Sequence, residues 1–252
     1  MITYKLRCVI ITLVSIFASF NAFCQSNLET KDVLDLHENL KNVGSAVQTS
    51  GNYAAGTAFD NRFKGTKGSP FIFEDWQIGR IDLIGYRAFT NIPLKYDAHQ
   101  NKVWLLFPND SSSFILEPEL IASFELEALG QKHIFFPIAP KDFEKMPSQK
   151  WIYESLYDGK QKLIKKTQIE FIPASNGGPY AAGNTFSEFS KKETYFFKPE
   201  NAELFQEVKW KSKKIKKLLK GKILADFEQL EKEKNIKVSS EKEFILFLKS
   251  VE

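Results

Sequence analysis

Cysteine is nearly absent from this chain. Its two cysteines, Cys8 and Cys24, both fall within the first 24 of 252 residues. Residues 25–252 therefore carry no disulfide framework, no thiolate nucleophile and no cysteine-built metal site. Core packing must hold them together. About 228 residues suffice for that, as one large β domain or two smaller units. Histidine is scarce too. His37, His99 and His133 sit at spacings that no metal motif uses, so a zinc site of histidines alone would need all three. Surface or capping roles fit each of them better. The chain has no HExxH pair, no nucleophile elbow, no Walker loop and no GxGxxG turn. No cofactor is expected.

Long apolar runs are also missing. The longest uncharged stretch of this kind, Cys8 to Phe20, is shorter than the roughly 20 residues a membrane span needs. Lys5 and Arg7 precede it, and Ala22 and Cys24 follow as small residues. That is the pattern of an export signal ending at Cys24. Lipid anchoring at Cys24 is the alternative; bulky Phe23 just before the cysteine disfavours it. Charge shows no strong excess of either sign. The chain is +4, and without Lys5 and Arg7 it holds 33 basic against 31 acidic residues, or +2. This gives no global case for a polyanion partner, and nucleic acid is not expected for an exported protein.

Aromatic residues are abundant. Phenylalanine, at 23 residues, outnumbers tyrosine and tryptophan together, which suits a β core or a core enclosing an apolar pocket. The densest block is Gly68–Asp97. Phe71 and Phe73 alternate with Ile72 and Glu74 as a short strand. Gln77 to Ile84 reads as a second, and Ile92, Leu94 and Tyr96 share one face of a third. Before this block come a short amphipathic helix over residues 25–43 and a glycine-rich loop reaching residue 67. After it, Val103–Phe107, Phe114–Leu116, Leu120–Ala128, His133–Ile138, Glu193–Phe197 and Leu204–Trp210 continue the strand pattern. Trp151–Tyr157 and Lys160–Ile172 flank Asp158-Gly159, which predicts a type I′ hairpin whose second arm turns lysines to water. About ten short strands favour an antiparallel β-sandwich or partly open barrel spanning 68–210, a mainly β (α+β) fold. From Lys211 the period becomes helical, predicting a C-terminal helical appendix over 211–252 packed on the sheet. Ser240 and Glu243 form a capping box for its last helix.

Two clusters stand out as candidate sites. Glu74 and Asp75 precede Trp76, and Asp97 follows Tyr96. Carboxylates beside aromatic rings suit sugar binding or glycoside cleavage, although strand ends and turns carry such residues routinely. Trp76, Asp75, Tyr96 and Asp97 are thus the candidate binding residues; Trp76, Phe89 and Tyr96 would suit a protein contact where exposed, although a place in the core is the stronger reading of each one. The second cluster is a lysine run without intervening acids. Lys213, Lys216, Lys217 and Lys220 are its candidate contacts with an anionic membrane or lipid head group. The bland reading of this run is a solvated helix face balanced by Asp226, Glu228, Glu231 and Glu233.

Gly68-Ser69-Pro70-Phe71, Trp76, Gly79, Ile92–Asp97, Tyr153-Glu154, Leu156–Lys160, Leu163 and Lys165-Lys166, with the basic C-terminal helix pair, form a set. In it the chain resembles a family of exported, uncharacterised proteins of Bacteroidetes-type bacteria over residues 52–252. The resemblance implies a β-rich architecture in the cell envelope and supplies no activity. The expected function is a non-enzymatic binding or scaffold component, exported to the periplasm or outer membrane, with an envelope protein as partner. A carrier of a lipid or other apolar ligand in a barrel cavity is the alternative, and a carbohydrate-active enzyme the third.

Overall fold

The computed structural model describes residues 47–50 (backbone only), 63, 65–86, 88–107, 112–174, 186–234 and 237–251. The export signal, Cys24 and the helix expected over residues 25–43 lie outside them. Eleven strands are described: β1 (Val47–Ser50), β2 (Gln77–Leu83), β3 (Ala88–Asp97), β4 (Lys102–Phe107), β5 (Ser112–Leu116), β6 (Ile121–Ala128), β7 (Gln131–Ile138), β8 (Trp151–Asp158), β9 (Lys162–Ile172), β10 (Glu188–Lys198) and β11 (Gln206–Val208). Three helices follow, α1 (Ser212–Leu218), α2 (Lys222–Lys234) and α3 (Glu241–Ser250). The fold is mainly β, with a C-terminal helical segment.

All the strands join one open antiparallel sheet, in the order β1-β5-β4-β3-β2-β6-β7-β8-β9-β10-β11. A meander runs outward from β2 to β5. A 3₁₀ turn at Pro118–Leu120 then returns the chain, so that β6 pairs with the free side of β2. From β6 a second meander continues to β11. The sheet curls strongly. The Ile169 N–H donates to Ala98 O (3.1 Å), and the Ile152 N–H donates to Asn101 Oδ1 (3.1 Å), although β2, β6 and β7 separate β3 from β8. Asn101 makes this suture from the β3–β4 turn at φ +60°, a conformation asparagine tolerates better than most residues. Its Nδ2 donates to Lys150 O, 3.1 Å away.

The inner face carries the first core. Phe124 stacks on Phe135 at 4.8 Å, and Tyr96 meets both rings at under 6 Å. Toward β9–β11 the same face carries a second core, where Tyr157, Leu163 and Phe197 meet Ile215, Phe227 and Phe244 of the helices. On the outer face, the segment between β7 and β8 folds back. Phe143, Tyr153, Ile164 and Phe205 are buried there in a third cluster.

Several local expectations are corrected. Phe71 makes a single bridge to Asp97, and residues 72–75 bend instead of forming a strand. Val47–Ser50, expected as loop, pairs with β5. The β8–β9 connection is Gly159–Gln161, and Gly159 does not take positive φ, so no type I′ turn forms there. The two-residue turn with both residues at positive φ is Leu129-Gly130 (φ +54° and +72°), between β6 and β7. Register shifts decide which residues face inward. Opposite Leu83, β6 accommodates an extra residue, so Ile121 is buried while Ala122 is exposed, the reverse of simple alternation. The capping box is largely as expected. Ser240 Oγ accepts the Glu243 N–H (3.4 Å), and the Glu243 carboxylate accepts from the Ser239 N–H (2.8 Å).

Gly79 shows how tightly the sheet centre is built. A Cβ there would lie 2.1 Å from Glu125 O and 3.0 Å from Leu94 Cδ1. Gly79→Ala is expected to destabilise the fold by about 3 kcal/mol or more, since overpacking against backbone has nowhere to relax. An unchanged urea midpoint would show that β2 and β6 can separate there freely.

Candidate functional site

Trp76 and Asp75 come together around Lys95. The Lys95 ammonium lies 5.2 Å from the Trp76 ring centre and 4.9 Å from that of Phe71. Burial lowers its pKa, and Asp75 and Glu74 pull partly the other way. Tyr96 and Asp97 point elsewhere. Tyr96 is buried in the inner core, where its hydroxyl donates to Asn101 Oδ1 (3.2 Å), and burial raises its phenol pKa well above the ordinary value. Asp97 is buried in the β3–β4 turn, and its Oδ1 accepts the N–H groups of His99 (3.0 Å) and Gln100 (2.8 Å). Phe89 is buried too, the core place that was the stronger expectation for it, and offers no protein contact.

The lysine run splits its work. Ile215 and Leu219, the apolar stripe between the lysines, are buried in the second core and so are taken up inside the protein. Lys213, Lys217 and Lys220 are exposed. Lys216 pairs with Glu231 (3.1 Å) and Glu228 (3.6 Å), and these bonds raise its pKa. No helix among the described residues is long and apolar enough to cross a membrane.

Two further clusters appear only in three dimensions. The first lies on the inner face, between the two cores. Glu154 accepts from His133 Nδ1 (2.7 Å) through one oxygen and from Lys165 Nζ (2.8 Å) through the other. Its side chain is 9% exposed, and that of Lys165 15%. Burial opposes the charge on Lys165, but Glu154 overcomes this and raises its pKa. The Glu154–His133 bond places the imidazole proton on Nδ1. It leaves Nε2 buried without a protein partner, with the Phe73 ring 5.1 Å from the imidazole. His133 lines neither of the cavities described below, so it has no space beside it for a substrate. The arrangement is an ion bridge that ties β7, β8 and β9 together. Farther along the same face, the Tyr195 hydroxyl donates to Glu193 (2.8 Å), and burial with Glu193 and Glu241 raises the phenol pKa.

The second cluster is a groove of about 470 Å3 on the outer face. Strands β8–β11 supply Tyr153, Lys166, Thr194, Phe196 and Glu207, and the β10–β11 connection supplies Phe205. The β7–β8 segment adds Lys145, and the chain from β11 into α1 adds Lys209, Lys214 and Leu218. Phe143 stacks on Tyr153 at 5.0 Å, and Phe196 meets both rings edge-on. Lys209 pairs with Glu207. Tyr153 is fully buried, and its hydroxyl has no hydrogen-bond partner among the described residues; burial raises its pKa. A cavity of about 570 Å3 lies between the 199–202 turn and the start of α2. No buried polar atom without a partner belongs to its walls. Among the described residues, no three His, Cys, Asp or Glu side chains converge as metal ligands.

Sequence reading passed over the groove because its residues come from four strands, three connections and α1. The available signal was Tyr153-Glu154 opposite Lys165-Lys166 across one hairpin. No family model, no curated protein and no solved structure matches this chain.

Proposed function

We propose that this chain is an exported cell-envelope protein that acts by binding, as a non-enzymatic component of a larger assembly, through the outer groove of β8–β11. One observation carries the reading. The groove joins apolar walls (Phe196, Phe205, Leu218) to four lysines, which outnumber the Glu144 and Glu207 carboxylates beside them, and to a buried tyrosine hydroxyl without a partner among the described residues. Interface cores favour aromatics, and an unsatisfied buried donor is a group that a ligand can satisfy. The volume of about 470 Å3 falls in the range of small-molecule sites and of pockets that accept a partner's anchoring side chain. Export is the reading of the N-terminal signal, and the outer-membrane assembly is its natural setting.

The carrier alternative receives less support. The phenylalanines of the inner face pack on each other, and both described cavities have mixed polar walls. Affinity capture of the protein from the envelope fraction tests the binding reading. A stable partner is expected with the native chain and is expected to be lost when Lys145, Lys209 and Lys214 are changed together to glutamate. Capture that is unaffected by the triple change would overturn the groove as the contact surface.

A further inference from the structure

We infer that the floor of the outer groove is an oxyanion site, in which Lys166, the Tyr153 hydroxyl and Thr194 hold a phosphate-type group while Phe196 and Phe205 receive the apolar body attached to it. The inference rests on the reading of this groove as the binding surface and names the chemistry it takes.

The register builds the row. Lys166 sits directly opposite Thr194 on the β9–β10 ladder. On the other side, Glu154 opposes Lys165, so Tyr153 stands one step along from that pair, beside Lys166 on the outer face. Three neighbouring strands thus set a phenol, an ammonium and a hydroxyl side by side, and all three line the groove. Phe196 follows Thr194 two residues later on the same face.

Lys166 differs from the other lysines of β9. Lys162 pairs with Asp158 and Lys165 with Glu154. Among the described residues Lys166 makes no such pair, and its ammonium instead rests 3.9 Å from the Trp151 ring centre. A cation–π contact leaves its N–H donors able to reach an anion. Burial and the like charge of Lys192 both weaken the ammonium, and Glu170 offsets them only in part. An anion would relieve both effects. The Tyr153 hydroxyl supplies the second argument. A buried donor without a partner costs the fold free energy, and a bound oxyanion is an acceptor that would satisfy it. Lysine donates as a point charge and suits the tetrahedral array of phosphate oxygens.

The group could arrive as a free phosphate or as the head group of an anionic amphiphile. Two titrations of the full chain separate these sources: pyrophosphate by calorimetry, and phosphatidylcholine vesicles with or without phosphatidylglycerol by co-sedimentation. Binding of either probe is expected. Response to pyrophosphate alone would identify a soluble oxyanion, and response to anionic vesicles alone a lipid head group. Lys166→Met is expected to weaken binding about ten-fold, the loss of one charge-assisted contact. Tyr153→Phe is expected to weaken it about five-fold, the loss of one hydrogen bond, with thermal stability unchanged or raised. The unchanged stability separates ligation from a folding defect. The inference is overturned if neither probe binds the native protein, or if both variants bind as it does. Partner capture that depends on Lys145, Lys209 and Lys214 would survive that result, so the two ideas fail separately.

Discussion

Glu154→Leu is expected to cost about 3–5 kcal/mol of folding stability, because it removes one partner of a buried ion pair and strands the other. Glu154 is the shared acceptor of His133 and Lys165, with bonds of 2.7 and 2.8 Å. Without it, the Lys165 ammonium stays on the inner face between Leu163 and Ile169, enclosed and left with only the weaker attraction of Glu241 and Glu193. A domain of this size has a net stability of roughly 5–15 kcal/mol, so the loss is a large share of the whole. The partner test is the double variant. Glu154→Leu with Lys165→Met removes both charges and fills the space with apolar groups, and it is expected to recover most of the loss. Urea midpoints of the native chain, the single variant and the double variant decide the matter. A single variant as stable as the native chain would show that the bridge contributes nothing. A double variant no better than the single would show that the loss came from packing around Glu154 rather than from stranded charge.

Phe244→Ala in α3 is expected to cost about 3–5 kcal/mol by leaving a cavity that its neighbours cannot collapse into. Phe244 is fully buried, and its ring lies 5.4 Å from Phe197 of β10, 6.0 Å from Trp210 and 6.5 Å from Phe227 of α2. It touches the sheet and its helical cover at once. Leu246, two residues on, is 59% exposed, and its alanine variant is expected to stay within about 0.5 kcal/mol of the native chain. Hydrogen exchange separates the loss into parts. Faster exchange confined to α2 and α3 would mean that the helices open as a unit over an intact sheet; faster exchange across β8–β10 would mean that they hold that half of the sheet together. Equal stability of the two alanine variants would refute the placement of Phe244 at this junction.

Much of the framework could be read from local pattern. Strands were expected over Gln77–Ile84 and Val103–Phe107 and lie at Gln77–Leu83 and Lys102–Phe107, because alternation and unbroken apolar runs are local signals. Ser240 was expected to cap the last helix and does so through its own hydroxyl. The errors have a common physical source. Asp158-Gly159 carries the composition of a tight turn, yet the loop is one residue longer and a register shift between Ser155 and Tyr157 realigns the hairpin. The face of Lys165 is a different case: the parity of β9, unbroken against β10, puts it with Leu163 and Ile169, and expecting the lysines of this arm in water overlooked that alternation. Simple alternation fails at Ile121, where an added residue reverses the faces. A bulge changes no composition, so no periodicity count detects it.

The candidate site was legible only in fragments. Trp76 and Asp75 meet around Lys95, as neighbours in sequence readily do. Tyr96 and Asp97, adjacent along the chain, point to opposite faces of β3 as the period of two demands. The lysine run displays its charges, but its apolar stripe is spent on the second core, and only the packing of α1 on the sheet could show that.

By itself the sequence determined the mainly β class, the position of most strands, the helical C-terminus and the lack of thiol chemistry beyond Cys24. These depend on residue type and on spacing within one element. The tertiary structure decided the rest: the return of β6 to β2, the curl that sutures Asn101 to β8, the Glu154 bridge, and the groove of Tyr153 and Lys166. Each depends on pairing between residues distant in sequence. The free energy of such pairing lies in contacts made across the fold, and these have no local signature.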